Sequence, residues 1–517
     1  MSRTTWFVII MVVLVCVGIV GAKLAKPHVE DFMQQRRSDS ATTKGKVVVA
    51  SDSWIGYFPL CSPEMKNRMR AQGYQFECAD DGADYPKRME RLKKGEIKFA
   101  VSTVDADIVN SAEHQFPGVE IMVIDESKGG DAILAREEVV KNIDAIKGRN
   151  NLRVGFTPHS PSHHLLRGVS DHFDVPELLP TAKNLRIETK NSEEARKKLL
   201  AKQIDIAVLW EPDVSRALAE KGIVKILGTE STRQFVVDVL LVHRDYAASN
   251  AELVKLVLTT YFQSLKVYRD NPGRLEDEVM KETKLSRDQV KAMLKGVAWA
   301  TFDDNCKYWF GIGSTSHALV ETIESTVSIL MNPKVGGLKK NPLPGGDPNR
   351  IVWGRFLEEL FAKGPVGFTV AGVAPTTTTV SAAFASFGDA QWNALKTVGS
   401  LKIEPIMFRG ATADLHLDGK AELDRVTQNI KHYPTFRIVV KGHTALSGDP
   451  DENLKLSQER ADTAARYLTV TYGMDPNRIR AIGVGSKEPL PQRPDESDGA
   501  YEYRLRRVEI YLVSEVY

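Results

Sequence analysis

Residues 197–218 read KKLLAKQIDIAVLWEPDVSRAL. A helical period in KKLLAKQ gives way to a run of apolar, mostly branched residues, which ends abruptly in Trp210-Glu211-Pro212. A proline cannot donate to a strand ladder, so the strand stops there and its last side chains are delivered to a loop. The motif is therefore a helix, a buried strand, and a polar and aromatic strand exit. Upstream, LRVGFTPHSPSHHLL (152–166) repeats the device with a strand that runs into a helix start. There Ser160 suits the N-cap and Pro161 the first helical position. Downstream, VKILG (224–228) and QFVVDVLLVH (234–243) read as further buried strands.

The same alternation extends toward the N-terminus. KVVVASDSW (46–54) predicts a strand with a polar exit, Pro63–Gln72 a helix, YQFECA (74–79) a strand and YPKRMERLKKGE (85–96) a helix. KFAVSTVDADIV (98–109) turns from strand to helix, and VEIMVIDES (119–127) and LRIETK (185–190) complete the series. Strands alternating with helices at this spacing predict an α/β fold with a mostly parallel sheet. Amphipathic helices follow within residues 251–272, 286–297, 317–332 and 350–364.

The chain has 517 residues, too many for a single core. Five segments are expected: 1–22, an anchor or signal segment; 23–45, a charged spacer with helical character near Val29–Gln35; 46–363, the α/β unit; 364–397, a Thr/Pro-rich linker; and 398–517, a second folded unit. Lys and Arg (69) nearly balance Asp and Glu (67), so no charge asymmetry points to a nucleic-acid partner. Trp6–Ala22 is an uncharged apolar run of 17 residues. As a helix it would reach about 25 Å, close to the roughly 30 Å hydrocarbon core of a bilayer. It reads as an uncleaved single-pass anchor in the inner membrane; Val20-Gly21-Ala22 would also serve as a signal cleavage site. Arg3 before the run and Lys23 and Lys26 after it leave the orientation open.

Of the four cysteines, Cys16 lies in the apolar run. Cys61 and Cys78 are either bridged in an oxidising compartment or two buried thiols. No cysteine or histidine spacing suggests zinc; His159, His163 and His164 bring no third ligand, so no metal or other cofactor is expected.

The ordered segments 47–59, 91–108, 152–166, 197–218 and 234–246 resemble the two-lobed periplasmic solute-binding proteins of ABC importers, of the nitrate, sulfonate and taurine type. That resemblance implies a small solute held between the lobes and the possibility of a membrane permease as partner. Strand exits facing each other across two sheets are where such a ligand sits. The expected ligand-binding residues are Trp54, Tyr57, Ser102, Thr103, Ser160, Ser162, Trp210 and Glu211. The helix start at Ser160 favours an anionic solute, because free N–H groups and the positive dipole end meet there. A related fold serves a pyrimidine synthase, but its Cys-rich cluster has no counterpart here, and no enzymatic activity is expected.

Residues 398–513 resemble the C-terminal domain of outer-membrane protein A, an α+β domain. The resemblance rests on the Gly-His-Thr turn (442–444), Asn453, the Leu-Ser-x-x-Arg-Ala run (456–461) and the final LRRVEIYLV (505–513). It implies binding to the peptide stem of peptidoglycan, with Arg460 as the arginine that holds diaminopimelate. The family's aspartate after Gly-His-Thr is Ala445 here, and its asparagine before Arg-Arg is Leu505. Asn453 and Asp449 are the further expected contacts, with Asp449 or Asp451 in the aspartate's stead. With both units exported, the N-terminus lies inside and the bulk in the periplasm. An envelope-tethered solute receptor is the function implied; the alternative is a structural protein whose binding fold docks another protein.

Overall fold

The structure, a computed structural model, describes residues 43–364, 384–409 and 412–515. The apolar run Trp6–Ala22, the spacer up to residue 42 and most of the 364–397 stretch lie outside the described residues. Within them, no helix is long and apolar enough to cross a membrane.

Three sheets organise the described residues. The first lobe opens with β1 (Gly45–Ser51), β2 (Tyr74–Asp80), β3 (Phe99–Thr103) and β4 (Gly118–Ser127). The chain then crosses into a second lobe made of β5 (Asp131–Arg136), β6 (Val154–Phe156), β7 (Arg186–Glu188), β8 (Ile206–Trp210) and β9 (Ile223–Gly228). It returns through β10 (Val237–His243) and adds β11 (Val297–Trp299). Strand orders are β11-β4-β10-β3-β1-β2 and β7-β6-β8-β5-β9.

These sheets are mixed, which corrects the expected mostly parallel sheet. Pairs made through helical crossovers, β1 with β2 and β3, and β6 with β7 and β8, are parallel. The strands next to the two lobe crossings, β5 and β10, enter from the opposite end and pair antiparallel with their neighbours. The segment that holds β5, DAILAR, follows β4 after only three residues, Lys128-Gly129-Gly130.

The two crossings are tied together at the hinge. Ser127 Oγ and Thr229 Oγ1 lie 2.7 Å apart, Gly129 N donates to Thr229 Oγ1 at 2.9 Å, and Ser127 N to Val236 O at 3.0 Å. Gly130 passes so close over Trp54 that an added Cβ would stand 2.1 Å from the indole. Cys61 and Cys78 are joined by a disulfide with Cα atoms 5.6 Å apart, tying the helical segment after β1 to β2.

The third sheet, β12 (Lys396–Ser400), β13 (Arg437–His443), β14 (Ile479–Gly485) and β15 (Val508–Ser514), has the order β12-β15-β13-β14 and is covered by the helices Leu417–Lys431 and Pro450–Tyr472. It does not stand apart from the second lobe. One apolar core runs from Phe156, Val169 and Phe173 through Val398 and Tyr433 to Ile438 and Leu512. Polar contacts frame it: His172 Nδ1 to Tyr433 OH at 2.9 Å, Arg233 N to His432 O at 2.9 Å and Lys402 N to His172 O at 2.7 Å. The C-terminal unit is therefore packed onto the second lobe, in contrast to the separately tethered unit that the linker composition suggests.

Candidate solute cleft and wall-facing pocket

The strand exits of both lobes converge on one narrow cavity of about 10 Å³, room for about one water molecule, which shares Asp52, Trp54 and Tyr57 with a wider outer cleft of about 530 Å³. From the first lobe come Asp52, Trp54 and Tyr57 after β1, Thr103 at the end of β3, Tyr85 at a helix start and Asp238 at the start of β10. Asp131 at the start of β5, Trp210 at the end of β8 and Pro161 close it from the second lobe. Asp131 and Trp210 are register partners in the β5–β8 pair, so one ladder position supplies both.

Its electrostatics are acidic. Arg88, fully buried, donates from Nε and Nη2 to Asp81 at 2.8 and 2.5 Å, to Asp52 at 3.1 Å and to the carbonyl of Val101 at 2.8 Å. Four of its five N–H groups are committed to these acceptors. Tyr57 OH donates to Asp238 at 2.5 Å and Trp54 Nε1 to Asp125 at 3.2 Å. Asp131 Oδ1 and Trp210 Nε1 are buried without a hydrogen-bond partner. Burial, then the charges of Asp105, Glu211 and Asp52, raises the Asp131 carboxyl to about 7. Asp238 is raised well above the carboxylate range by burial and by Asp125.

Of the expected ligand residues, Trp54, Tyr57, Thr103 and Trp210 line this cavity. The other four face elsewhere. Ser102 Oγ donates to the Thr103 carbonyl at 3.1 Å, and Glu211 accepts from Ser215 Oγ at 2.7 Å and Ser215 N at 3.0 Å. Ser160 does not cap its helix through its side chain; the hydroxyl donates to Thr157 O at 2.7 Å. Ser162 Oγ reaches the Val208 carbonyl at 3.4 Å. The helix Pro161–His172 presents a proline ring to the cavity, and the N–H of His163 is taken by Ser160 O at 3.0 Å. The N-terminus that was to favour an anion is thus largely spent, and the lining carries three carboxylates and no basic side chain. The anionic expectation does not fit this cleft.

Sequence reading missed Asp52, Tyr85, Asp131 and Asp238. A signal was present for Asp238, a lone charge inside the apolar run FVVDVLLV. Asp131 gave none, since β5 itself was not read.

The third unit opens a second pocket of about 320 Å³. Arg460, Asn453, Ala445, Phe408, Tyr503 and Arg506 are among its lining residues. Arg460 donates from Nε to the Thr412 carbonyl at 3.1 Å and lies over the Phe408 ring at 5.0 Å. Burial and then the like charge of Arg506 lower its pKa. Asn453 Nδ2 donates to Ser447 O at 2.9 Å. Asp449 does not line the pocket. Its Oδ1 caps the helix Pro450–Tyr472, accepting from the backbone N–H of Asp451 and Glu452 at 3.0 Å each, so it does not replace the family's aspartate.

Residues 407–502 match the model of the OmpA family. The probable lipoprotein YiaD of Escherichia coli is 36% identical over 107 residues, 21% of this chain and 47% of that protein. The peptidoglycan-binding protein ArfA of Mycobacterium tuberculosis is 32% identical over 108 residues, 21% of this chain and 32% of its own. The chain spans about half the length, or less, of these curated relatives. Among solved structures, the alkanesulfonate-binding protein SsuA of Xanthomonas axonopodis pv. citri, bound to MOPS, is 14% identical, covers 60% of this chain and 99% of its own, and superposes with a TM-score of 0.47. The chain joins a two-lobed α/β module to a C-terminal OmpA-type domain.

Proposed function

We propose that this is an envelope protein that receives a small solute between its two lobes and docks on the peptide stem of peptidoglycan through its OmpA-type domain. The observation that carries the reading is the cavity to which both lobes contribute, with buried polar atoms on Asp131 and Trp210 left unpartnered. Leaving such groups unpaired costs about 1–3 kcal/mol each, a cost that a bound solute would offset. In this reading the solute module comprises residues 46–363 and the wall module 398–517. Trp6–Ala22 holds the N-terminus in the inner membrane, and a permease is the natural recipient of the solute. The protein binds and does not catalyse.

Arg460 and Arg506 would meet a carboxylate of the stem, since a guanidinium offers a planar fork of donors. A thermal-melting screen of the full chain in detergent, against ammonium compounds, small anions and neutral sugars, tests the solute half. A saturable rise in melting temperature is expected for one class, because a ligand that binds only the native state stabilises it by mass action. If no class moves the transition, the cleft is not a solute site.

A further inference from the structure

The chemistry of the cleft narrows the class of solute. Its lining combines four aromatic side chains, Trp54, Tyr57, Tyr85 and Trp210, with the carboxylates of Asp52, Asp131 and Asp238. Of these carboxylates only Asp52 has a cationic partner, Arg88. The other guanidinium nearby, that of the half-buried Arg167, has an Nε without a hydrogen-bond partner; its charge acts on Asp105, and it is absent from the lining. Asp131 is 2% exposed, and its Oδ1 has no donor. An anion placed here would meet Asp131 and Asp238 in a low-dielectric site, where hydroxyl donors such as Tyr57 reach them but no cation among the described residues is paired with them. A cation would relieve them, and aromatic faces attract cations through their quadrupole.

The approach to the cavity has the same sign. A wider outer cleft shares Asp52, Trp54 and Tyr57 with it and adds Asp80, Glu193, Asp213 and Glu282 against the single positive charges of Lys66 and Arg216. Asp213 is itself paired with Arg196 at 2.8 Å. An excess of one sign along a cleft raises the local concentration of the opposite ion. A bare metal ion does not suit the site: among the described residues no group of three or more His, Cys, Asp or Glu side chains is arranged to hold one.

We propose that the interlobe cleft, once its lobes part to widen the narrow space of about 10 Å³ between them, binds a small organic cation, a substituted ammonium, with its charge against Asp131 and Asp238 and its alkyl groups against Trp54, Tyr57, Tyr85 and Trp210. The assignment rests on the reading of the cleft as a solute site and adds the sign and class of the solute.

The test is isothermal titration of the full chain in detergent at pH 8 and constant ionic strength, with tetramethylammonium chloride in one arm and sodium ethanesulfonate in the other. Saturable binding of tetramethylammonium is expected, with none of ethanesulfonate. D131N should weaken it at least tenfold and W210L severalfold, the second variant covering the case in which the first fails to fold. Saturable ethanesulfonate binding without ammonium binding would overturn the cation assignment while leaving the solute site standing. Tetramethylammonium binding that survives both variants would place the cation elsewhere and overturn the assignment. Absence of heat in both arms would also overturn it, and the broader melting screen would then decide separately whether the cleft takes any solute.

Discussion

Asp125 and Asp238 stand directly opposite each other in the antiparallel pairing of β4 with β10, and both are buried. Like charges at facing positions of a sheet are destabilising, the more so away from water. Trp54 and Tyr57 donate to them, but among the described residues no cation is paired with them. Burial raises both carboxyls well above their usual range; the charge of Asp131 adds to this at Asp125, and that of Asp125 at Asp238. Asp238→Asn is therefore expected to raise the melting temperature of the solute-free chain at pH 8, by the equivalent of about 1–2 kcal/mol, with a smaller gain at pH 5, while solute affinity falls. Melting curves of both proteins at the two pH values check this.

Asp105 and Asp131 are both raised to about 7, chiefly by burial. The folded chain then binds more protons than the unfolded chain between about pH 4 and pH 7, so these groups cost stability as pH rises through that window. Besides burial, a hydrogen bond from Ser127 opposes the shift at Asp131, and the charges of Asp105, Glu211 and Asp52 add to it. Those acting on Asp105 include Arg167, which opposes its shift. Ammonium affinity should grow over the same window as the cleft loses its protons. Titrations at pH 6 and pH 8 are expected to differ severalfold in favour of pH 8, with the difference absent in D131N.

Histidines act with the opposite sign. Burial, then the charge of Arg167, lowers His164 to about 3, and burial lowers His172 well below its usual value. Below about pH 6.5 the unfolded chain takes up protons that the folded chain refuses, so each such histidine removes up to about 1.4 kcal/mol per pH unit of acidification. His172 lies at the contact with the OmpA-type domain, stacked on His432 at 5.5 Å. His164→Leu should flatten the acid limb of the stability curve between pH 6 and pH 4 in urea titrations.

The strand series was legible because each buried strand leaves an apolar run with a polar exit, and DIAVLWEP delivered Trp210 to the cleft as expected. β5 carried a signal that went unread: Gly129-Gly130 separates it from β4, and DAILAR is a short apolar run. Ser160 shows the limit of local rules: its hydroxyl turns back to Thr157 O, a choice set by the loop and not by helix-cap preference. The docking of the OmpA-type domain on the second lobe could not be read either. Val398, Tyr433 and Leu512 look like ordinary core residues of their own unit until Phe173 is brought against them.

The disulfide Cys61–Cys78 closes a separation of 17 residues, for which loop entropy suggests a contribution of about 3 kcal/mol. Reduction before a denaturant titration should lower stability by that order, and alkylation of the unreduced chain should leave both cysteines unlabelled in mass spectrometry.

Ala445 lines the wall-facing pocket together with Arg460 and Arg506, and Asp449 is committed to its helix cap. No carboxylate in the lining meets a stem ammonium group, so Ala445→Asp should strengthen binding to peptidoglycan severalfold, read as the fraction of protein pelleted.

The most direct measurement for the account as a whole is co-sedimentation of the full chain with purified peptidoglycan that contains diaminopimelate. The shared core with the second lobe makes the whole chain the proper sample. The wild type is expected in the pellet in a saturable manner, with Arg460→Lys shifted severalfold toward the supernatant, because an ammonium cannot reproduce the bidentate guanidinium contact. A wild-type chain that stays in the supernatant at every peptidoglycan concentration, with Ala445→Asp equally unbound, would contradict the placement of this protein at the cell wall.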